Sequence, residues 1–124
     1  FVCLHVREQG YLPDLTYHSY RNADVYSYRP AIEAIVERGG WVIRMGDPTM
    51  KPMPPMKQLI DYVHTDARRD WMDVFCCAEC RFIIATVSEP ICVSWAFGVP
   101  CVGTNWFPLG SSPPSRRDLV VQRC

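Results

Sequence analysis

Short apolar runs alternate along this sequence with segments whose apolar residues recur at helical spacing. FVCLHV (1–6), WVIRMG (41–46), RFIIAT (81–86) and VPCVGTN (99–105) are continuous apolar stretches, rich in Val and Ile, which predicts four strands. Between them, RPAIEAIVERGG (29–40) carries Ile32, Ile35 and Val36 on one helical face, with Pro30 acceptable in the first turn and Gly39 and Gly40 as a stop. KPMPPMKQLIDYV (51–63) places Met56, Leu59, Ile60 and Val63 at i, i+3, i+4 and i+7. DWMDVFCCAEC (70–80) does the same with Trp71, Val74, Phe75 and Ala78 behind an Asp70 cap, so two more helices are expected. EPICVSWAFG (89–98) reads as a helix entered through Pro90 and closed by Gly98.

Parallel strands need a crossover, and the crossover is usually a helix. The alternation therefore predicts an α/β fold, a Rossmann-like parallel sheet with helices on both faces. The uninterrupted apolar strands agree with burial on both sides. At 124 residues the chain is long enough for one domain and too short for two, so residues 1–124 are expected to form a single unit. It opens on Phe1 inside a strand and stops at Cys124 shortly after DLVV (118–121), and a piece of a longer protein is the expectation.

Thirteen basic residues balance thirteen acidic ones, which leaves no electrostatic footprint for nucleic acid or a membrane surface. Any anion bound should be small. No apolar run approaches the roughly 18 residues of a membrane span, and nothing resembles a signal peptide, so a cytoplasmic protein without a membrane span is expected. Of seven cysteines, Cys3, Cys92 and Cys101 fall inside apolar runs, where a reduced thiol acts as a small buried hydrophobe. Cys77 and Cys80 form a C-x-x-C with no second pair at zinc-finger spacing, and no metal site is expected. GSSPPSRRD (110–118) reads as an exposed loop.

Open parallel sheets bind ligands at the carboxyl ends of their strands. His5 and Arg7, Arg44 and Asp47, Thr86 and Ser88, and Thr104 and Asn105 all come at or just after such ends and would share one rim. Alternation along a strand puts His5 and Arg7 on the same face. Arginine offers a fixed fork of donors that matches phosphate oxygens, and histidine can donate a hydrogen bond or act as a base. The plain alternative for Arg7 is an ion pair with Glu8. In RFIIATVSEP, a strand leading into a helix leaves the first amides unpaired at the positive end of the dipole, with Thr86 and Ser88 adding hydroxyls. Ser88 could equally be a simple helix cap. Asp47 could accept from a ribose hydroxyl or a base edge, although Gly-Asp-Pro is also an ordinary turn. Neither G-x-G-x-x-G nor G-x-x-x-x-G-K-[ST] occurs, which removes the dinucleotide and P-loop readings.

LHVRE (4–8), YHSYRN (17–22), GGWVIRMGDP (39–48), MDVFCCAECRFIIATVS (72–88) and AFGVPCVGTNW (96–106), in this order, resemble a bacterial glycosyltransferase family of GT-B fold, itself similar to the core and nodulation fucosyltransferases. The resemblance runs to about Pro108. It implies the carboxyl-terminal, donor-binding half of a two-domain sugar transferase that works with its own amino-terminal domain. Such an enzyme takes a nucleotide-diphospho-sugar donor, GDP-fucose-like, and a glycan or surface-polysaccharide acceptor, and needs no metal or other cofactor. By this resemblance Arg7 would hold the donor's β-phosphate with Arg44 in support, and His5 would lie beside the nucleotide. Asp47 would contact base or ribose, and Thr86 and Ser88 would line the diphosphate. Glu89 departs from the pattern, since relatives carry Ser or Gly after the serine. The alternative it raises is a non-catalytic nucleotide-binding or interaction domain derived from such an enzyme.

Overall fold

In the computed structural model, which describes residues 1–9, 14, 16–107 and 113–122, six strands form one all-parallel sheet. The elements run β1 (Val2–His5), α1 (Arg29–Glu37), β2 (Val42–Met45), β3 (Leu59–Ile60), α2 (Asp70–Glu79), β4 (Ile83–Thr86), α3 (Glu89–Ala96), β5 (Cys101–Trp106) and β6 (Leu119–Gln122). Their spatial order is β3-β2-β1-β4-β5-β6. The chain winds outward in one direction from β1 and then in the other from β4, so the switch point lies between these two strands, where ligands bind in such sheets. The expected α/β, Rossmann-like parallel arrangement is the one observed.

Register decides what each face of the sheet carries. Cys3 pairs with Ile43 and Ile83, and His5 with Met45 and Ala85, whereas Leu4 pairs with Arg44 and Ile84. Partners in register share a face, and successive residues alternate. On one face Cys3, Met45, Ile83, Ala85 and Cys101 pack with Cys76 and Cys77 of α2 and Ile91 of α3. On the other, Val2, Leu4, Val42 and Ile84 pack with Val25 and with Ile32 of α1.

Two elements and one cysteine differ from their sequence-based expectation. Residues 51–63 form no long helix: the chain gives only the two residues of β3 and a 3-10 turn at Tyr62–His64. Pro52, Pro54 and Pro55 remove backbone donors and push the residues before them out of the helical region, and Gln58 turns the chain at φ 55°. Helix α2 is present but rotated. Cys76 and Cys77 are its buried residues, while Trp71 is 64% exposed and Val74 and Phe75 also face outward; Arg69, not Asp70, occupies the cap position. The small thiols let α2 lie against β1, where the Cys3 thiol donates to the Cys76 carbonyl (3.3 Å), and Ser94 of α3 donates to the Cys77 carbonyl (3.0 Å). Finally, Cys92 is exposed and not buried, whereas Cys3, Cys76, Cys77, Cys80 and Cys101 are buried, unbridged thiols.

Of the stretch read as an exposed loop, residues 110–112 lie outside the described residues. Its end is anchored: Asp118 is buried and accepts from the Cys101 amide (2.8 Å), the Trp95 indole (3.1 Å) and the Ser115 amide (3.1 Å). Among the described residues, no helix is long and apolar enough to cross a membrane, and no group of three or more His, Cys, Asp or Glu side chains is arranged to hold a metal ion.

Candidate functional site

A cleft of about 290 Å³ opens at the carboxyl ends of β1 and β2, on the α2–α3 face of the sheet. The pleat selects its side chains. His5 and Arg7 project from β1 and its extension, Gly46 and Asp47 follow β2, Ser88 and Glu89 start α3, and Arg68 and Asp73 close the α2 side.

Of the eight residues expected to share one rim, four therefore meet there: His5, Arg7, Asp47 and Ser88. Arg44 and Thr86 do not. Arg44 is paired in register with Leu4, which turns it to the α1 face, and it is fully buried. Its guanidinium bonds Glu8 Oε2 (3.2 Å) and Asp61 Oδ1 (3.0 Å). Glu8 also accepts from the Lys51 amide (3.0 Å), and Asp61 from the Met53 amide (2.8 Å) and His64 Nδ1 (2.9 Å). Arg44 is thus the core of an ion-pair network that holds the proline-rich segment against β2. Thr86 shares the parity of Ile84 and is equally buried; its hydroxyl accepts from the Arg7 amide (2.9 Å) and so pins the backbone of Arg7 without reaching the cleft. Thr104 lies on that same far face, bonded to the Tyr28 hydroxyl (2.6 Å).

Glu8 turns away with Arg44, so the expected alternative of an Arg7–Glu8 pair is not formed. Among the described residues no side chain bonds the Arg7 guanidinium, and its Nε is withdrawn from water without a partner. A half-buried cation with unused donors lines the cleft.

Ser88 occupies the cap position of α3 in extended conformation, yet its side chain does not cap the helix. Its hydroxyl lies 2.9 Å from the Thr86 carbonyl and 2.9 Å from His5 Nδ1. One hydroxyl proton serves one acceptor, so both contacts are satisfied when Ser88 donates to the carbonyl and His5 Nδ1–H donates to Ser88. His5 Nε2 is then unprotonated. Burial holds the His5 ring down to about 4; the Glu89 carboxylate pulls the other way, and Arg44 and Arg7 push it lower. His5 is neutral at ordinary pH and a weak base.

With its side-chain cap absent, the first turn of α3 leaves amide donors at the positive end of the helix. Glu89 also belongs to the wall: it is exposed, but it lines the cleft and its charge reaches His5. Asp47 does two things at once. Its Oδ1 accepts from the Thr49 hydroxyl (2.6 Å) and amide (2.9 Å), closing the turn, and the hydroxyl bond holds its carboxyl below the usual range.

Sequence reasoning missed Arg68 and Asp73. They face each other at 3.6 Å, and Arg68 Nε and Asp73 Oδ1 are both buried without a hydrogen-bond partner. Burial raises the Asp73 carboxyl, against the pull of Arg68. The signal was in the chain: Asp73, Cys76, Cys77 and Cys80 are spaced i, i+3, i+4, i+7, a stripe that faces inward once thiols are counted as apolar. The 3-10 turn at Thr16–Arg21 is tied to the site as well, because Arg21 forks onto the Val87 carbonyl through Nε (2.9 Å) and Nη2 (2.6 Å).

Two guanidinium groups and three carboxylates therefore surround one cleft. A bare anion gains little from such a lining, whereas a ligand that is anionic at one end and rich in hydroxyl or amino donors at the other can satisfy both sets. No family model matches this chain, and no match to it was found among curated proteins or solved structures.

Proposed function

We propose that this domain binds a nucleotide-diphospho-sugar and forms the donor half of a metal-independent glycosyltransferase whose acceptor is a glycan. The observation that carries the reading is Arg7, a cleft cation with unused donors beside the uncapped amides of α3. In this reading Arg7 and the α3 amides take the diphosphate, and Asp47 and Asp73 accept from hydroxyl or amino groups of the nucleoside or sugar. When the sugar–oxygen bond breaks, charge grows on the leaving diphosphate, and Arg7 stabilises it; losing one such donor commonly costs roughly 3 to 4 kcal/mol. The acceptor hydroxyl attacks the sugar carbon as the bond to the diphosphate oxygen breaks, and its proton passes to a base of the amino-terminal domain or to an oxygen of the leaving diphosphate. His5, neutral and weakly basic, holds the ligand through a hydrogen bond. The resemblance of LHVRE and the motifs that follow it to GT-B fucosyltransferases supports the same reading.

The second reading, a non-catalytic nucleotide-binding domain, is favoured by Glu89, whose carboxylate lines the same cleft and would repel a diphosphate bound there. One experiment addresses both. Melting temperature and calorimetry with guanosine, uridine, adenosine and cytidine diphosphates should show stabilisation by at least one of them, about 2.7 kcal/mol at a hundredfold excess over Kd, with sulfate much weaker. No shift with any nucleotide overturns both readings. Nucleotide binding without turnover of the corresponding nucleotide sugar, in the presence of glycan acceptors and the partner domain, selects the second.

A further inference from the structure

The opposite face of the sheet carries a second cleft. It is open, about 390 Å³, and lies at the carboxyl ends of β5 and β6, against the segment that leads into α1. Asn22, Ser27, Tyr28, Thr104, Asn105 and Gln122 contribute its polar groups, and none of the described residues lining it is charged. That sets it apart from the Arg7 cleft, where every wall carries a charge. Among the described residues, a phosphate or carboxylate meets no counter-charge here and a cation meets no carboxylate.

A free amide presents a donor and an acceptor side by side, which matches a pair of neighbouring hydroxyls that each donate and accept, whereas Asn105, with both Nδ2 hydrogens engaged, offers its Oδ1 alone. Asn22 Nδ2 donates to Gln9 Oε1 (2.6 Å), while its Oδ1 is withdrawn from water with no hydrogen-bond partner among the described residues. A buried unpaired acceptor is unfavourable, and a small rotation toward a ligand hydroxyl would relieve it. Asn105 sits at φ 51°, in the left-handed region, held there as its Nδ2 donates to the carbonyls of Tyr20 (3.3 Å) and Asn22 (3.2 Å). The backbone therefore holds this amide at the cleft wall. Ala23 and Val121 are the apolar aliphatic residues of the lining. Apolar side chains next to uncharged amides suit a molecule with an apolar C–H face and a hydroxylated edge.

We infer that this cleft binds a neutral saccharide. The amides and hydroxyls take the sugar's hydroxyl edge, and Ala23 and Val121 take its C–H face. It lies on the other side of the sheet from Arg7, so a sugar held here is anchored, not transformed. The inference does not depend on nucleotide binding at the first cleft.

The test is amide-detected NMR of the ¹⁵N-labelled chain titrated with methyl glucoside, methyl galactoside, methyl mannoside and N-acetylglucosamine, with inorganic phosphate as the contrasting arm. At least one sugar should give saturable shifts at the side-chain amides of Asn22, Asn105 and Gln122, and phosphate should give none there. Gln122→Leu, at an exposed position on the edge strand β6, and Asn22→Ala should each weaken that sugar about tenfold, or about 1.4 kcal/mol. Arg7→Ala should leave it unchanged. The inference is overturned if no sugar gives saturable shifts at these amides, if both cleft variants bind as the parent does, or if Arg7→Ala abolishes the effect.

Discussion

His5 Nδ1 and Ser88 Oγ stand 2.9 Å apart, joining the end of β1 to the first residue before α3 across the switch point of the sheet. The bond ties a ring that burial keeps neutral to a hydroxyl that would otherwise cap the helix.

A pH dependence follows. The His5 pKa is lowered from 6.5 to about 4 in the fold, chiefly by burial, so between these values the unfolded chain binds the extra proton. This contribution to stability is constant above about pH 6.5 and is lost as pH falls toward 4. The loss is on the order of 3 kcal/mol. Denaturant unfolding at several pH values should show the slope, and His5→Gln, which keeps a polar partner for Ser88, should flatten it.

Arg44→Met should destabilise the fold by about 3 to 5 kcal/mol, because Glu8 and Asp61 are left buried or half-buried without their cation. Adding Glu8→Gln removes one stranded charge and keeps an acceptor for the Lys51 amide. The double variant should therefore be more stable than Arg44→Met alone. A double variant less stable than the single one would contradict the network.

Thr86→Val removes the acceptor of the Arg7 amide without altering the cleft surface. It should cost about 1 to 3 kcal/mol of stability. Nucleoside diphosphate affinity should fall with it, in the same direction as for Arg7→Lys, where an ammonium replaces the fork. Calorimetry of both variants checks the pair; unchanged affinity in Arg7→Lys would remove Arg7 from the phosphate.

Glu89→Gln takes a negative charge out of the cleft wall. Nucleoside diphosphates should bind more tightly, with the gain largest at low ionic strength, where screening is weakest. The His5 pKa should drop further, since the Glu89 charge is what raises it. Titration of His5 by NMR at two salt concentrations reads the second effect directly.

Gly46→Ala should narrow the first cleft. The residue sits at φ 153°, and a Cβ there would lie 2.5 Å from the Met50 sulfur. The expected outcome is a loss of roughly 1 to 3 kcal/mol from backbone strain and displacement of Met50, with weaker ligand binding. A variant as stable as the parent, with parental affinity, would show that Met50 moves aside freely.

The alternation of apolar runs and helical segments was enough to give the parallel sheet, because continuous Val- and Ile-rich runs have few other homes. The two places where periodicity misled are physically distinct. At 51–63 the helical spacing of Met56, Leu59, Ile60 and Val63 was real, but Gln58 turns the chain in the left-handed region and Leu59 and Ile60 pair with β2 as a short strand instead. At α2 the helix formed with a different face inward, because three thiols fill the gap against β1 better than Trp71 and Phe75 could. The site itself was legible where parity was applied. His5 and Arg7 were grouped by alternation; the same rule, carried across the register of β2 and β4, separates Arg44 and Thr86 from them. That register is a property of pairing between distant segments, and a single strand's residues do not contain it.

Five shielded thiols and one exposed thiol, Cys92, give the described chain a set of built-in clocks. An alkylating reagent meets Cys92 at once, but reaches Cys3 or Cys101 only when β1 or β5 leaves the sheet, and Cys76 or Cys77 only when α2 lifts away. Labelling each site over time, by mass, would rank the opening free energies of strand and helix within one molecule, with Cys92 as the internal reference for reagent reactivity.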